Sequence, residues 1–210
     1  MTVYLIITCC INNTVGITWS DKRKQEYYLA IANVLNLCPP EIKPIIVENS
    51  CVDKSYLDIF KCDIVYTKSH TPLREGDLLL HKGHNELNDI KTIIKKYNMQ
   101  DSDMIIKFTG RYLLFNDEFF KTVLANPRAD ALFRQYNVCT YKRDDISIVL
   151  GMFALRAMYF KSFKYNNHDK GAEEDFRTFI NNMIQVDKMM KVDKLWLRVY
   201  LGQNDKMLDV

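Results

Sequence analysis

Lys107-Phe108-Thr109-Gly110-Arg111-Tyr112 gathers two cations, a glycine and an aromatic hydroxyl within six residues. It runs off the end of an apolar stretch, Met104–Phe108. An arginine can grip a diphosphate through two parallel hydrogen bonds, and a lysine adds a compact positive charge. Gly110 permits a sharp turn between them, and Tyr112 offers a stacking face. The plainer account of Arg111 is an ion pair with a structural carboxylate. Lys82-Gly83 precedes a predicted helix, where free backbone N–H groups and a nearby lysine suit a phosphate or nucleotide. Glu48-Asn49 ends a predicted strand and could bond a ribose or base edge, or simply cap the next turn. Glu173-Glu174-Asp175 opens a helix. Acids there satisfy the helix dipole, and one projecting into a cleft could take the proton of an acceptor hydroxyl.

Other patterns carry less. Asp101-Ser102-Asp103 has the spacing of a metal-binding Asp-x-Asp but precedes its strand, at the amino end of a sheet, so it reads as a solvated turn. His81 and His84 have no further ligands nearby in sequence to complete a metal set. No GxGxxG follows the first strand, and GxxxxGK[ST] and GxSxG are absent, which removes the main support for dinucleotide oxidoreductases, P-loop NTPases and elbow-type hydrolases.

These residues need a scaffold that brings them together. Val3–Thr8 is a continuous apolar, β-branched run, the pattern of a strand covered on both faces. Asp21–Leu37 carries a helical stripe of Tyr27, Tyr28, Ile31, Val34 and Leu35, stopped by Cys38-Pro39-Pro40. Strands follow at Ile45–Val47, Asp63–Thr67 and Met104–Phe108, with helices at Asp53–Phe60 and Asn85–Tyr97 and a loop at Thr71–Gly76. This β-α-β-α-β-α-β order predicts an α/β fold with a mostly parallel central sheet flanked by helices. Ligands of such sheets bind beyond the carboxyl ends of the strands, here at Thr8–Asn13, Glu48–Ser50, Thr67–Gly83 and Thr109–Asn116. The second half predicts strands at Ala131–Phe133 and Ile146–Leu150, helices at Met152–Phe163 and Glu173–Met190, and a short apolar run at Trp196–Tyr200. It reads as a mixed α/β C-terminal extension of the same sheet.

Composition narrows the class. The chain has 210 residues, 48% apolar and 26% charged, which fits a globular fold and excludes disordered and fibrous classes. A net charge of +3, with bases interleaved among acids, gives no footprint for nucleic acid or an anionic membrane. No stretch approaches the ~20 apolar residues of a membrane span, and Met1–Cys10 has no basic leader or cleavage signature. Six cysteines without a CxxC pair point to a reduced, cytoplasmic chain.

The order of these segments resembles the small nucleotide-sugar glycosyltransferases of the GT-A fold that carry a Lys-x-Thr-Gly-Arg-Tyr motif, enzymes of surface and capsular glycans in bacteria and large algal DNA viruses. The matching residues are Leu5–Cys9, Ile46–Asn49, Lys82–Glu86, Ile106–Tyr112 and Val149–Arg156, with Glu173 or Glu174 at the late acid. The resemblance implies a single GT-A-like domain over 1–210, with a nucleotide-binding half at 1–116 and an acceptor-side half at 117–210. Whether the chain is whole or the first domain of a longer enzyme stays open. The implied activity is transfer of a hexose from a nucleoside diphosphate sugar, expected to be a UDP-sugar, to a glycan acceptor. Thr8 and Cys9 would hold base and ribose, Glu48 the uracil or ribose, and Lys82 and Gly83 the sugar and diphosphate. Gly110, Arg111 and Tyr112 would stand where many relatives place an Asp-x-Asp, and Glu173 or Glu174 would face the acceptor. Lacking that Asp-x-Asp, the chain either neutralises the leaving diphosphate with Arg111 and Lys107 or holds Mn²⁺ or Mg²⁺ through other carboxylates such as Asp77. A sugar-phosphate nucleotidylyltransferase and a non-catalytic nucleotide- or glycan-binding module are the alternatives.

Overall fold

The computed structural model describes residues 1–12, 21–68, 78–138, 147–165, 171–200 and 207–210, and the side chains of 78–82 are outside that description. Strand β1 (Val3–Cys9) leads through the unassigned 13–20 to helix α1 (Asp21–Leu37) and strand β2 (Ile42–Glu48). A single 3₁₀ turn at Tyr56–Ile59 precedes β3 (Asp63–Tyr66), α2 (Leu78–Lys96) and β4 (Met104–Thr109). There follow β5 (Leu113–Leu114), α3 (Glu118–Ala125), β6 (Ala131–Phe133), β7 (Met152–Arg156) and α4 (Ala157–Ser162). The chain closes through α5 (Ala172–Met183), β8 (Met189–Lys191), β9 (Leu197–Tyr200) and β10 (Met207–Asp209).

Seven strands form the main sheet in the order β3-β2-β1-β4-β7-β6-β8. The β3-β2, β2-β1, β1-β4 and β6-β8 pairs are parallel, while β7 runs antiparallel to both β4 and β6. The expected mostly parallel sheet is therefore present. Its inner strands carry apolar residues on both faces because each face has its own core. Leu5, Ile7, Ile46, Ile106 and Phe108 pack against α1 and α3, while their neighbours Ile6, Ile45, Val47 and Ile105 pack against α2, α4 and α5. A second sheet, β10-β9-β5, continues the first of these cores through Leu114, Leu197 and Val199.

Several elements depart from the sequence reading. β2 begins at Ile42 and runs through Pro44, upstream of the predicted start. The proline is tolerated because β3 joins β2 only from Ile45 onward, so no partner there needs its missing N–H. Met152–Phe163 is not one helix: Met152–Arg156 forms β7, buried at every position between β4 and β6, and only Ala157–Ser162 is helical. Helix α5 stops at Met183, short of the predicted Met190, and the chain continues into a 3₁₀ turn and β8 at the sheet edge. Ser147–Leu150 forms no named strand, though Ile148 makes an isolated bridge to Gln135. The predicted loop Thr71–Gly76 lies outside the described residues, as does Ile146.

Candidate active site

The carboxyl ends of β1, β2 and β4 open on one edge of the sheet, and the sequence-predicted residues gather around them. Gly110 allows a close approach between two of these ends. A Cβ there would lie 2.7 Å from Cys9 Sγ and 3.1 Å from the Thr8 carbonyl oxygen, and the Gly110 N–H donates to that oxygen at 2.9 Å. The turn after β4 is thus pressed onto the end of β1, a contact that a side chain would prevent. Thr8 and Cys9 are themselves buried strand residues. Thr8 Oγ1 lies 3.3 Å from both Glu86 Oε1 and the Phe108 carbonyl, and burial pushes the Cys9 thiol well above its ordinary value. Their side chains face the interior, so a ligand above β1 meets the following backbone at Cys10 and Ile11.

Glu48 lies beneath that backbone. Its carboxyl is fully buried and accepts the N–H groups of Ile11, at 3.2 Å, and Ser50, at 2.7 Å, together with the Ser50 hydroxyl. Burial lifts its pKa to about 7 against the pull of those donors, and the charge of Asp89 adds to the rise. Arg23 and Tyr27 of α1 complete this corner: Arg23 donates to the Cys10 carbonyl at 3.3 Å, and the Tyr27 hydroxyl accepts the Cys10 N–H at 3.1 Å. Neither was singled out from sequence: Tyr27 belongs to the helical stripe that reads as core, and Arg23 sits in the charged run Asp21-Lys22-Arg23-Lys24 that opens the helix. Asn49 donates from Nδ2 to the buried Asp89 at 2.8 Å, and Thr67 donates to the same carboxylate at 2.7 Å, tying the ends of β2 and β3 to α2.

The two cations of the Lys-x-Thr-Gly-Arg-Tyr segment part company. Lys107 is buried, its ammonium 2.6 Å from Thr109 Oγ1, 2.7 Å from the Leu150 carbonyl and 3.0 Å from Glu86 Oε2. Arg111 turns toward α1 and β9, donating to the Tyr200 carbonyl at 2.8 Å with Glu26 at 3.9 Å. Its guanidinium also lies 5.6 Å from the Tyr112 ring centroid and pairs with that hydroxyl, so these contacts use part of a fork that carries five donors. Tyr112 packs over Gly151, where a Cβ would come within 2.5 Å of its ring. Burial raises its hydroxyl pKa, and the charges of Glu86 and Glu173 raise it further against the pull of Arg111.

Gly83 has a different place from the one predicted. Helix α2 starts at Leu78, so Gly83 stands inside the helix and not before it, and its backbone N–H groups are not the free ones of a helix start. Its missing side chain admits Tyr165 and Ala172 instead, which would lie 3.0 Å and 3.2 Å from a Cβ. The Lys82 side chain lies outside the description. The same packing brings the N-terminus of α5 over α2. Glu173 is raised by burial and then by the charge of Glu86, with Lys107 opposing, so it shares the environment of those two groups. Glu174 is half-buried beside it in the first turn.

The described residues do not fit a divalent metal. Gly110, Arg111 and Tyr112 occupy the turn after β4, and no group of three or more His, Cys, Asp or Glu gathers among the described residues. Asp77 lies outside them. Asp101-Ser102-Asp103 is at the opposite end of the sheet, where Asp103 accepts the N–H groups of Thr2 at 2.7 Å and Gln100 at 2.9 Å as a structural anchor. His84 stacks on Tyr165 at 5.1 Å. No disulfide joins the five described cysteines, and no described helix is long and apolar enough to cross a membrane.

No family model matches the chain, and no curated protein sequence matches it. Solved structures do. The mannosyltransferase PcManGT from Pyrobaculum calidifontis, in complex with GDP-Man and Mn²⁺, superposes with a TM-score of 0.52 at 9% identity, over 90% of this chain and 56% of its own. Staphylococcus aureus TarS residues 1–349 gives 0.51 at 10% identity, over 94% and 60%. The glycosyltransferase GlyE of Streptococcus pneumoniae TIGR4 gives 0.51 at 7% identity, over 92% and 45%. The chain thus spans between 45% and 60% of these three structures. Identities this low speak for architecture alone, and the architecture of this chain is the GT-A-like fold of nucleotide-diphospho-sugar glycosyltransferases.

Proposed function

We propose that the chain is a glycosyltransferase of the small Lys-x-Thr-Gly-Arg-Tyr kind, moving a hexose from a nucleoside diphosphate sugar, a UDP-sugar, to a glycan acceptor in a reducing compartment. The observation that carries this reading is the convergence of Glu48, Arg111, Tyr112, Glu173 and Glu174 around one edge of a sheet whose architecture is shared with a mannosyltransferase bound to GDP-Man. In the reaction the acceptor oxygen bonds to the anomeric carbon and the bond to the diphosphate breaks. The acceptor proton passes to a carboxylate, and negative charge grows on the leaving diphosphate.

Glu48 would shape the base site from beneath, its buried carboxyl fixing the Ile11 backbone that a base would meet, and Tyr112 would flank the diphosphate. Arg111 would oppose the developing charge, having donors beyond the one given to Tyr200. Lys107 is not assigned that task, because its three N–H bonds are committed within the protein. Glu173 or Glu174 would take the acceptor proton. Burial and the neighbouring Glu86 raise the affinity of Glu173 for a proton, which makes it a stronger base than an ordinary carboxylate. No step is routed through a metal.

The test is a thermal-shift series with UDP, GDP, CMP, dTDP and their sugars, each with Mn²⁺ and with EDTA. A ligand that binds only the native state raises Tm by mass action. One nucleotide family should shift Tm, and Arg111→Ala should lose that shift while keeping its own unliganded Tm within a few degrees. Folded protein that responds to no nucleotide refutes the donor site.

A further inference from the structure

Lys107 is an ammonium buried in the middle of the sheet edge, and all three of its hydrogens are spent on Thr109, Leu150 and Glu86. It holds Glu86 in place from one side. Thr8 Oγ1 lies 3.3 Å from the other oxygen of the same carboxylate, its one hydrogen shared between that oxygen and the Phe108 carbonyl. The carboxylate is therefore fixed from two adjacent strands, β1 and β4, at their carboxyl ends. Yet it is not closed over: 34% of the Glu86 side chain stays exposed, against 3% for Lys107. A purely structural pair in a core would have both ends covered. Here the cation is sealed and the anion faces outward, with lone pairs to spare after two anchoring contacts.

The neighbours indicate what it meets. Tyr112, Tyr165 and Glu173 all feel the charge of Glu86. An outward carboxylate beside a second one repels phosphate, so the ligand part resting there is neutral and rich in hydrogen-bond donors. Within a nucleotide sugar the ribose and the donor's sugar ring both answer to that; the ribose goes with the base toward the Cys10–Ile11 corner, while Glu86 shares its surroundings with Glu173 on the acceptor side, which leaves it to the sugar ring. We infer that Glu86 is a specificity-determining residue that accepts hydrogen bonds from hydroxyls of the donor's sugar ring, with Lys107 and Thr8 as its positioning residues. The inference rests on the donor-site reading above and names its sugar-facing wall.

The experiment measures the Kd of UDP and of UDP-glucose, UDP-galactose and UDP-N-acetylglucosamine for the wild type and for Glu86→Gln, by calorimetry. The ratio of the UDP constant to the UDP-sugar constant isolates what the sugar adds. Glu86→Gln should leave UDP affinity within about twofold and lower that ratio about tenfold or more for the best-bound sugar, the loss of a hydrogen bond to a charged group. Discrimination between that sugar and its deoxy analogue should fall with it. Lys107→Met should lower the ratio in the same direction by loosening the carboxylate. UDP binding doubles as the check that each variant is folded. Equal weakening of UDP and UDP-sugar, or an unchanged ratio, overturns the inference and leaves the donor site standing. Failure of the wild type to bind any of the four ligands removes the UDP-sugar reading and this assignment together.

Discussion

Glu48 makes folding stability depend on pH in a way that isolates one buried group. Its carboxyl titrates near 7 in the folded chain against an ordinary value of 4.5. Because the folded value is the higher, the native state binds more protons than the unfolded state between the two, and stability falls as pH rises. The stabilisation is fully present below about 4.5 and is lost through pH 7. A single site with those two constants costs about 2.5 kcal/mol between pH 5 and pH 8. For a chain of this length that is a Tm change of roughly 5–10 °C. The assay is urea unfolding from pH 5 to 8 of the wild type and of Glu48→Gln. The amide cannot titrate, and its altered bonding to Ile11 and Ser50 adds an offset that does not vary with pH. All other carboxylates cancel in the difference curve, which should slope against the wild type by about 2.5 kcal/mol. A difference that stays flat across this range refutes the account of Glu48 as a carboxyl pushed up by burial.

Two further substitutions probe the frame of the site. Gly110→Ala forces a Cβ to 2.7 Å from Cys9 Sγ and 3.1 Å from the Thr8 carbonyl, and should cost about 1–3 kcal/mol in urea unfolding, with donor affinity falling as the turn lifts off β1. Asp89→Ala removes the acceptor of both Asn49 and Thr67 in a fully buried place, and should cost about 2–4 kcal/mol in the same assay with an unchanged m-value.

The parallel half of the sheet was legible because burial on both faces writes itself as uninterrupted apolar runs. Val3–Thr8 and Met104–Phe108 each extend one residue further in the structure, and Asp21–Leu37 has the bounds its stripe and its prolines imply. Met152–Arg156 was misread because Met, Ala, Leu and Arg favour helices, and a strand buried at all five positions offers no alternation to overrule them. Sandwiching between β4 and β6 decides its conformation, and that is tertiary information. The strand order put Glu48 and Arg111 at or just beyond the carboxyl ends of their strands, where the structure has them. It could not tell that Lys107 turns inward, since a lysine in an apolar strand names no partner, and Glu86 stands 21 positions earlier on another element. Nor could it date the start of α2: Leu78–Leu80 extends the helix upstream, which moves Gly83 from a helix start to a helix interior.

The strand order also sets a timetable for synthesis. β1 is made before every other strand of its sheet and lies inside it, paired from Val3 to Met104 with a strand that emerges about a hundred residues later. At roughly 5–20 residues per second, β1 waits several seconds or more on the ribosome with the edge that takes β4 uncovered, although α1 and α2, which cover its faces, are made before β4. β2 arrives within about forty residues and covers only the other edge. A nascent chain halted between β3 and β4 therefore displays Leu5, Ile6 and Ile7 on an open strand edge, the segment on which a chaperone would act and from which aggregation would start.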